Sequence, residues 1–371
     1  MGATAVIARA DFDRLLEALT GWGYTVIGPT VSEGAIVLEE IGTATDLPVG
    51  WTDEQEAGRY RLTRRDDEAL FGYSLGPQSW KREQLPAQIT LWRSAPDGDG
   101  GLSTFEDAPA SRPLAFLGVR SCELHAMGIL GNVLASGPEP VRPELDPFVI
   151  AVQCGQAGAT CFCVSMETGP VANAGFDLAL TELLADGPHR FLVEVGSDRG
   201  AEVLGAVPHQ PAEDAERTQA ATIYAHTAET MGRELDTDGI KELLYRNLQH
   251  PRWDEVAERC LTCGNCTMVC PTCFCTTVED VTDLTGTVER RQRWDSCFTI
   301  DYSHIHGGAV RTSTRSRYRQ WMTHKLATWW DQFDSSGCVG CGRCARACLV
   351  DITPVGVFNE LYRQKEDRGQ S

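Results

Sequence analysis

No run in this 371-residue sequence approaches the ~20 consecutive apolar residues that a membrane-spanning helix needs, and the first ten residues lack the apolar core of a secretory signal. No G-x-G-x-x-G follows an expected strand, and neither a phosphate-binding G-x4-G-K-[ST] nor an H-E-x2-H zinc motif occurs, so the common signatures of nucleotide and metalloprotease sites are missing. Basic residues are scarce: 33 Lys and Arg stand against 52 Asp and Glu, a formal charge of −19. A nucleic acid would be repelled by such a chain. Neither nucleic acid nor membrane is therefore expected as a partner. A secreted disulfide framework is also excluded, since 15 cysteines is an odd number and no signal segment precedes them. Free thiols in this number point to a reducing cytoplasm.

Cysteine spacing is what the chain does have. Cys260-Leu-Thr-Cys263-Gly-Asn-Cys266-Thr-Met-Val-Cys270-Pro271 and Cys338-Val-Gly-Cys341-Gly-Arg-Cys344-Ala-Arg-Ala-Cys348 each carry C-x2-C-x2-C-x3-C, the spacing by which thiolates hold a [4Fe-4S] cluster. In two-cluster ferredoxins the fourth cysteine of each run ligates the other cluster. The expected sets are therefore Cys260, Cys263, Cys266 and Cys348 for the first cluster, and Cys338, Cys341, Cys344 and Cys270 for the second. Structural zinc is the competing reading, a zinc-binding interaction module. It usually takes separated C-x2-C pairs or Cys/His mixtures around one ion, which fits these tight triplets poorly.

The length suits two domains, and the charge divides with them. Residues 1–235 carry 16 basic and 34 acidic side chains, residues 236–371 17 and 18. The turn-rich Asp236-Thr-Asp-Gly239 marks the expected boundary. Before it, Phe12, Leu15, Leu16, Leu19 and Trp22 recur at helical spacing, and apolar runs at Tyr24–Ile27, Ala35–Leu38, Leu114–Leu117, Phe148–Val152 and Phe191–Val195 predict strands. Residues 51–107 predict loops and edge strands. Together these give an α/β domain over 1–235. Beyond the boundary the pattern predicts an all-helical ferredoxin-like domain over 236–371. Its 67-residue insert between the cysteine runs places Tyr318, Met322, Leu326, Trp329 and Phe333 on one helical face. The insert is locally basic (Arg290, Arg291, Arg293, Arg311, Arg315, Arg317, Arg319, Lys325), which reads either as a solvated face or as charge set against a cluster or an acidic subunit.

Two of the expected buried strands deliver cysteine at their C-terminal ends, where α/β sheets place ligands. Cys122 follows Leu114–Leu117, and Cys154 follows Phe148–Val152 with Cys161 and Cys163 shortly after. These four have the number and chemistry for a third cluster but no standard spacing, and buried core thiols are the alternative. His125 reads as structural or as a nearby hydrogen-bond donor. Cys273, Cys275 and Cys297 read as packing thiols, or as groups that tune a nearby cluster or replace a ligand.

Taken together, CLTCGNCTMVCPTCFC (260–275), Arg293-Trp-Asp-Ser-Cys297, the 315–325 stretch, CVGCGRCARAC (338–348) and Gly118-Val-Arg-Ser-Cys122-Glu-Leu-His125-Ala resemble the 4Fe-4S dicluster β subunit of cytoplasmic NAD(P)-linked [NiFe] hydrogenases, the sulfhydrogenase type. Ser121 and Glu123 depart from the Pro and Asp expected there. The iron-sulfur subunit of anaerobic sulfite reductase, which feeds a sirohaem subunit, is similar over much the same residues. The resemblance implies a non-catalytic electron-transfer component with two [4Fe-4S] clusters, or three. It also implies a flavin- and NAD(P)-binding γ-like subunit on one side and the small and large hydrogenase subunits on the other. The paired L-x-C-x2-C ligands of a nickel-iron subunit are absent from the chain itself.

Overall fold

The computed structural model describes residues 4–97, 101–105, 112–136, 145–185 and 187–367. Parts of two expectations, loops at 98–100 and 106–107 and helix at 368–371, fall outside these residues. The fold is mixed α/β.

An eight-stranded sheet forms the first half, in the order Gln210–Pro211, Thr4–Ala8, Arg190–Val195, Leu178–Leu183, Phe148–Val152, Leu114–Val119, Thr25–Ser32, Ala35–Glu40. Its centre is parallel: Thr25–Ser32, Leu114–Val119, Phe148–Val152 and Leu178–Leu183 all run one way, and the outer strands pair antiparallel. The two innermost expected strands are those whose side chains are apolar without alternation, as burial on both faces demands. Helix Phe12–Gly21 lays Phe12, Leu15, Leu16 and Leu19 into the core beside Phe116, Ile150, Leu180 and Val193. Leu178–Leu183, which no apolar run announced, completes the parallel centre.

The second half keeps the expected helices in modified form. The stretch 240–259, within the part expected to be all helical, forms two helices, Ile240–Arg246 and Arg252–Arg259. Pro251 sits between them, and a proline cannot continue a helix that precedes it. The 314–333 face is a single rod interrupted by a π-helical turn at His324–Thr328. Tyr318, Trp321, Met322 and Leu326 from it join Trp253, Val256 and Phe358 in a second core.

The all-helical expectation for 236–371 is corrected at the insert. Thr276–Thr282 and Val288–Trp294 form an antiparallel hairpin, and Val288–Trp294 pairs further with Gln88–Pro96, giving a four-stranded sheet built from both sides of Asp236. Both faces of the hairpin carry charged side chains, so it lacks the apolar alternation by which half-buried strands are recognised. Its arginines are held by carboxylates of the same hairpin: Arg290 to Asp280, Arg293 to Glu279 and Arg291 to Glu289. These three are thus neither a helix face nor free charge.

Candidate metal centre

The two cysteine runs fold alike. Each C-x2-C-G-x-C turns through a left-handed glycine, Gly264 (φ 73°) or Gly342 (φ 71°), into a one-turn helix, Asn265–Met268 or Arg343–Arg346. A side chain at either glycine would be strained. The turn brings the three thiols of a run to one side, and the two short helices pack on each other.

Cys260, Cys263, Cys266 and Cys348 line one cavity, walled by Phe298, Tyr318, Trp321 and Ile352. The three aromatic rings pack edge to face at 5.6–6.2 Å. Two sulfurs already accept backbone N–H groups at 3.4 Å: Cys260 from Thr262 and Cys348 from Ile352. Trp321 lines this cavity, and its Nε1 is buried with no acceptor among the described residues. Cys263 is exposed, beside the exposed Leu261 and Leu349.

Cys270 lies with the second run. Burial raises the thiol of Cys344, as do the neighbouring Cys338, Cys341 and Cys270, and burial pushes Cys338 up to about 12. Cys270 is the opposite case, held low first by a hydrogen bond from Cys273. Lys325 is buried in this group, its Nζ 2.8 Å from both Thr272 Oγ1 and the Gly337 carbonyl. Burial opposes its charge, yet Cys270, Cys273 and Cys338 together hold its pKa above the usual lysine range. Lys81, buried from the other side, donates to the carbonyls of Cys273 and Met268 and lies 3.8 Å over the Trp294 ring.

The four remaining candidates also converge. Cys122, at the start of helix Ser121–Ala135, Cys154, just past strand Phe148–Val152, and Cys161 and Cys163 from the following loop line a single cavity together with Cys341. Burial raises Cys122, with Cys163 and Cys341 adding to it, and pushes Cys161 up to about 11. The loop is seated on the second run: Phe162 N donates to Gly340 O at 2.8 Å and Thr168 Oγ1 to Val339 O at 2.6 Å. This approach requires glycine. A Cβ at Gly340 (φ +64°) would stand 2.5 Å from Phe162 O, and one at Gly342 2.4 Å from Thr160 O.

Charge around this third cavity is unbalanced. Arg120, Arg343 and Arg346 line it with one lining carboxylate, Glu123, which pairs with Arg343 at 2.5 Å, and the buried Asp53 acts on Arg346 and Arg120 from outside the lining, so three cations face two carboxylates. Arg120 donates to carbonyls, those of Phe71, Tyr73 and Gln153 among them, and to the Cys154 thiol, and Arg346 donates to Leu75 and Gly76 O, leaving its Nε and Nη1 without a partner among the described residues. Buried guanidinium groups in excess of their carboxylates are costly unless an anion completes the site. A thiolate-bound iron-sulfur cluster is such an anion, so the donor set fits one.

Sequence reasoning passed over Lys81, Arg120, Arg343 and Arg346. Arg343 and Arg346 sit inside the second cysteine run and Arg120 two residues before Cys122, and that proximity to cysteine was the signal available. His125 lies outside the cysteine cavities, its pKa lowered by burial. Cys273 is hydrogen-bonded to Cys270, and Cys275 to Cys297 and Tyr302, which holds Cys275 at about 6. Among the described residues no three Cys, His, Asp or Glu side chains converge closely enough to hold a single metal ion.

Residues 259–352 match the family described as a 4Fe-4S dicluster domain. The sulfhydrogenase 2 subunit beta of Pyrococcus furiosus is 32% identical over 271 residues, which cover 71% of this chain and 75% of that protein. Among the described residues no helix is long and apolar enough to cross a membrane.

Proposed function

This chain belongs to the sulfhydrogenase beta-subunit family, and from that premise we propose that it relays electrons through three [4Fe-4S] clusters. One would be held by Cys260, Cys263, Cys266 and Cys348, a second by Cys338, Cys341, Cys344 and Cys270, and a third by Cys122, Cys154, Cys161 and Cys163. The relay would run between a flavin- and NAD(P)-binding γ-like subunit and the small and large [NiFe] subunits of a cytoplasmic complex. The observation that carries the third cluster is the buried excess of guanidinium around four gathered thiols.

Each cluster supplies reversible one-electron chemistry, which lets a two-electron donor such as reduced flavin serve distant metal chemistry. The protein's part is to hold, shield and bias. Phe298, Tyr318 and Trp321 exclude water from the first site, backbone N–H groups at Cys260 and Cys348 stabilise thiolate sulfur, and arginines offset negative charge at the third. Cys341 is the junction: it belongs to the second run and also lines the third cavity. A lone zinc would need thiols drawn to about 2.3 Å from one point, whereas these line cavities.

Anaerobic purification with iron, acid-labile sulfide and zinc counts tests the reading. About twelve irons per chain are expected, four for each cluster. Cys263→Ala and Cys341→Ala should each lose about four and abolish reduction of the complex by NAD(P)H. Full iron and activity in both variants would overturn the ligand sets.

A further inference from the structure

The π-helical turn His324–Thr328 interrupts an otherwise regular helix, and such turns are frequent at functional sites. Its effect here is local and specific. Lys325 is turned inward, 3% exposed, and its Nζ bridges Thr272 Oγ1 and Gly337 O at 2.8 Å each. Thr272 follows Cys270 by two residues and Gly337 directly precedes Cys338, so one ammonium joins the two segments that bring the thiols of the second set together. Its backbone takes part too, since Gly337 N donates to Lys325 O at 2.8 Å. Gly337 admits this geometry because a Cβ there would lie 2.5 Å from the Trp329 ring.

A buried ammonium is tolerated only when paired. Among the described residues no carboxylate pairs with Lys325; thiols surround it instead. Lys81 approaches from the N-terminal half, its Nζ set against the carbonyls of Met268 and Cys273 and over the Trp294 ring. Lys325 Nζ instead stands between the segments that carry Cys270 and Cys338, which makes it the cation placed within the second set.

We propose that Lys325 is a positioning and potential-setting residue for the second cluster, raising its reduction potential by favouring the more negative, reduced state. The inference rests on the cluster reading above and extends it to a residue that ligates nothing. Net charge is a principal lever on cluster potential.

The test is an anaerobic redox titration of the full-length chain followed by EPR, on the wild type, Lys325→Met and Lys325→Arg. In Lys325→Met one cluster should shift to lower potential, its oxidised-to-reduced ratio at fixed potential rising at least tenfold, or 59 mV for one electron. Lys325→Arg, which keeps the charge, should recover most of the shift. If Lys325→Met loses four irons while Lys325→Arg keeps them at the wild-type potential, the requirement for charge is met in a stronger form. Wild-type midpoints in Lys325→Met with full iron would show that the lysine is only a structural pin. Equal loss of iron from both variants would overturn the charge role as well. A wild-type chain without acid-labile sulfide would instead sink the cluster reading itself.

Discussion

Glu123→Gln attacks the one buried ion pair that ties helix Ser121–Ala135 to the second cysteine run. Glu123 and Arg343 have side chains 2% and 3% exposed and meet at 2.5 Å. Removing one partner of such a pair costs about 3–5 kcal/mol, because the surviving charge stays buried. Arg343 keeps its Nε bond to Gln78 O at 2.9 Å and a hydrogen bond to Cys341, and Cys341 and Cys122 lie close enough to favour its charge. Thiolates bound to iron would act in the same sense, so the loss should fall toward the low end of that range with iron bound and toward the high end after chelation. Anaerobic urea denaturation of both forms measures it. The double variant Glu123→Leu with Arg343→Met should recover most of the loss, since apolar replacement of a buried pair is often close to neutral. A cost below about 1 kcal/mol for Glu123→Gln, the scale of an exposed pair, would refute the reasoning. So would a double variant no more stable than the single.

Cys122→Ser and Cys161→Ser should each lower iron from about twelve to about eight per chain while leaving the signals of the other two clusters; unchanged iron in both would return these residues to the role of packing thiols. Gly340→Ala adds a Cβ 2.5 Å from Phe162 O and 2.6 Å from the backbone of Cys163. It should push the loop off the second run and lose the third site's iron, read by the same count, before it affects Cys260, Cys263 and Cys266.

The eight cysteines of the two runs stand out in the sequence because their short, regular spacing is the one that cluster ligation leaves. The other four were legible only as a number and a place. Cys122 and Cys154 end neighbouring parallel strands, a relation that follows from the strand ends, but nothing local says that Cys161 and Cys163 turn back to meet them over Gly340. The buried cations were hidden for a different reason. A lysine or arginine in sequence reads as surface, and Lys81 lies 189 positions before Cys270 yet reaches the carbonyl of Cys273. The hairpin at Thr276–Trp294 had β-branched residues and a Thr-Gly turn, but charge on both faces concealed its strand character. Glu123, a departure from the Asp of the resembled pattern, acquires a reason: its carboxylate meets Arg343.

These long-range contacts bear on how a relay could be assembled from an acidic half and a nearly neutral one. The acidic first half supplies not only four thiols but Lys81 and Arg120, and it receives Arg343 and Arg346 from the second run. The sheet strand Gln88–Pro96, the Glu123–Arg343 pair, the loop on Gly340 and Lys81 beneath Cys273 are among the features that cross the seam. The Glu123–Arg343 pair and the loop on Gly340 fix the second run against the first half, the strand and Lys81 fix the hairpin and the end of the first run, and Cys263, Leu261 and Leu349 are left exposed. A carrier that merely diffused would gain little from locking one cluster so firmly to another domain. The seam makes sense if the third, second and first sites are to keep a fixed order, with Cys341 between the inner two and the Cys263 edge as the terminus nearest a partner.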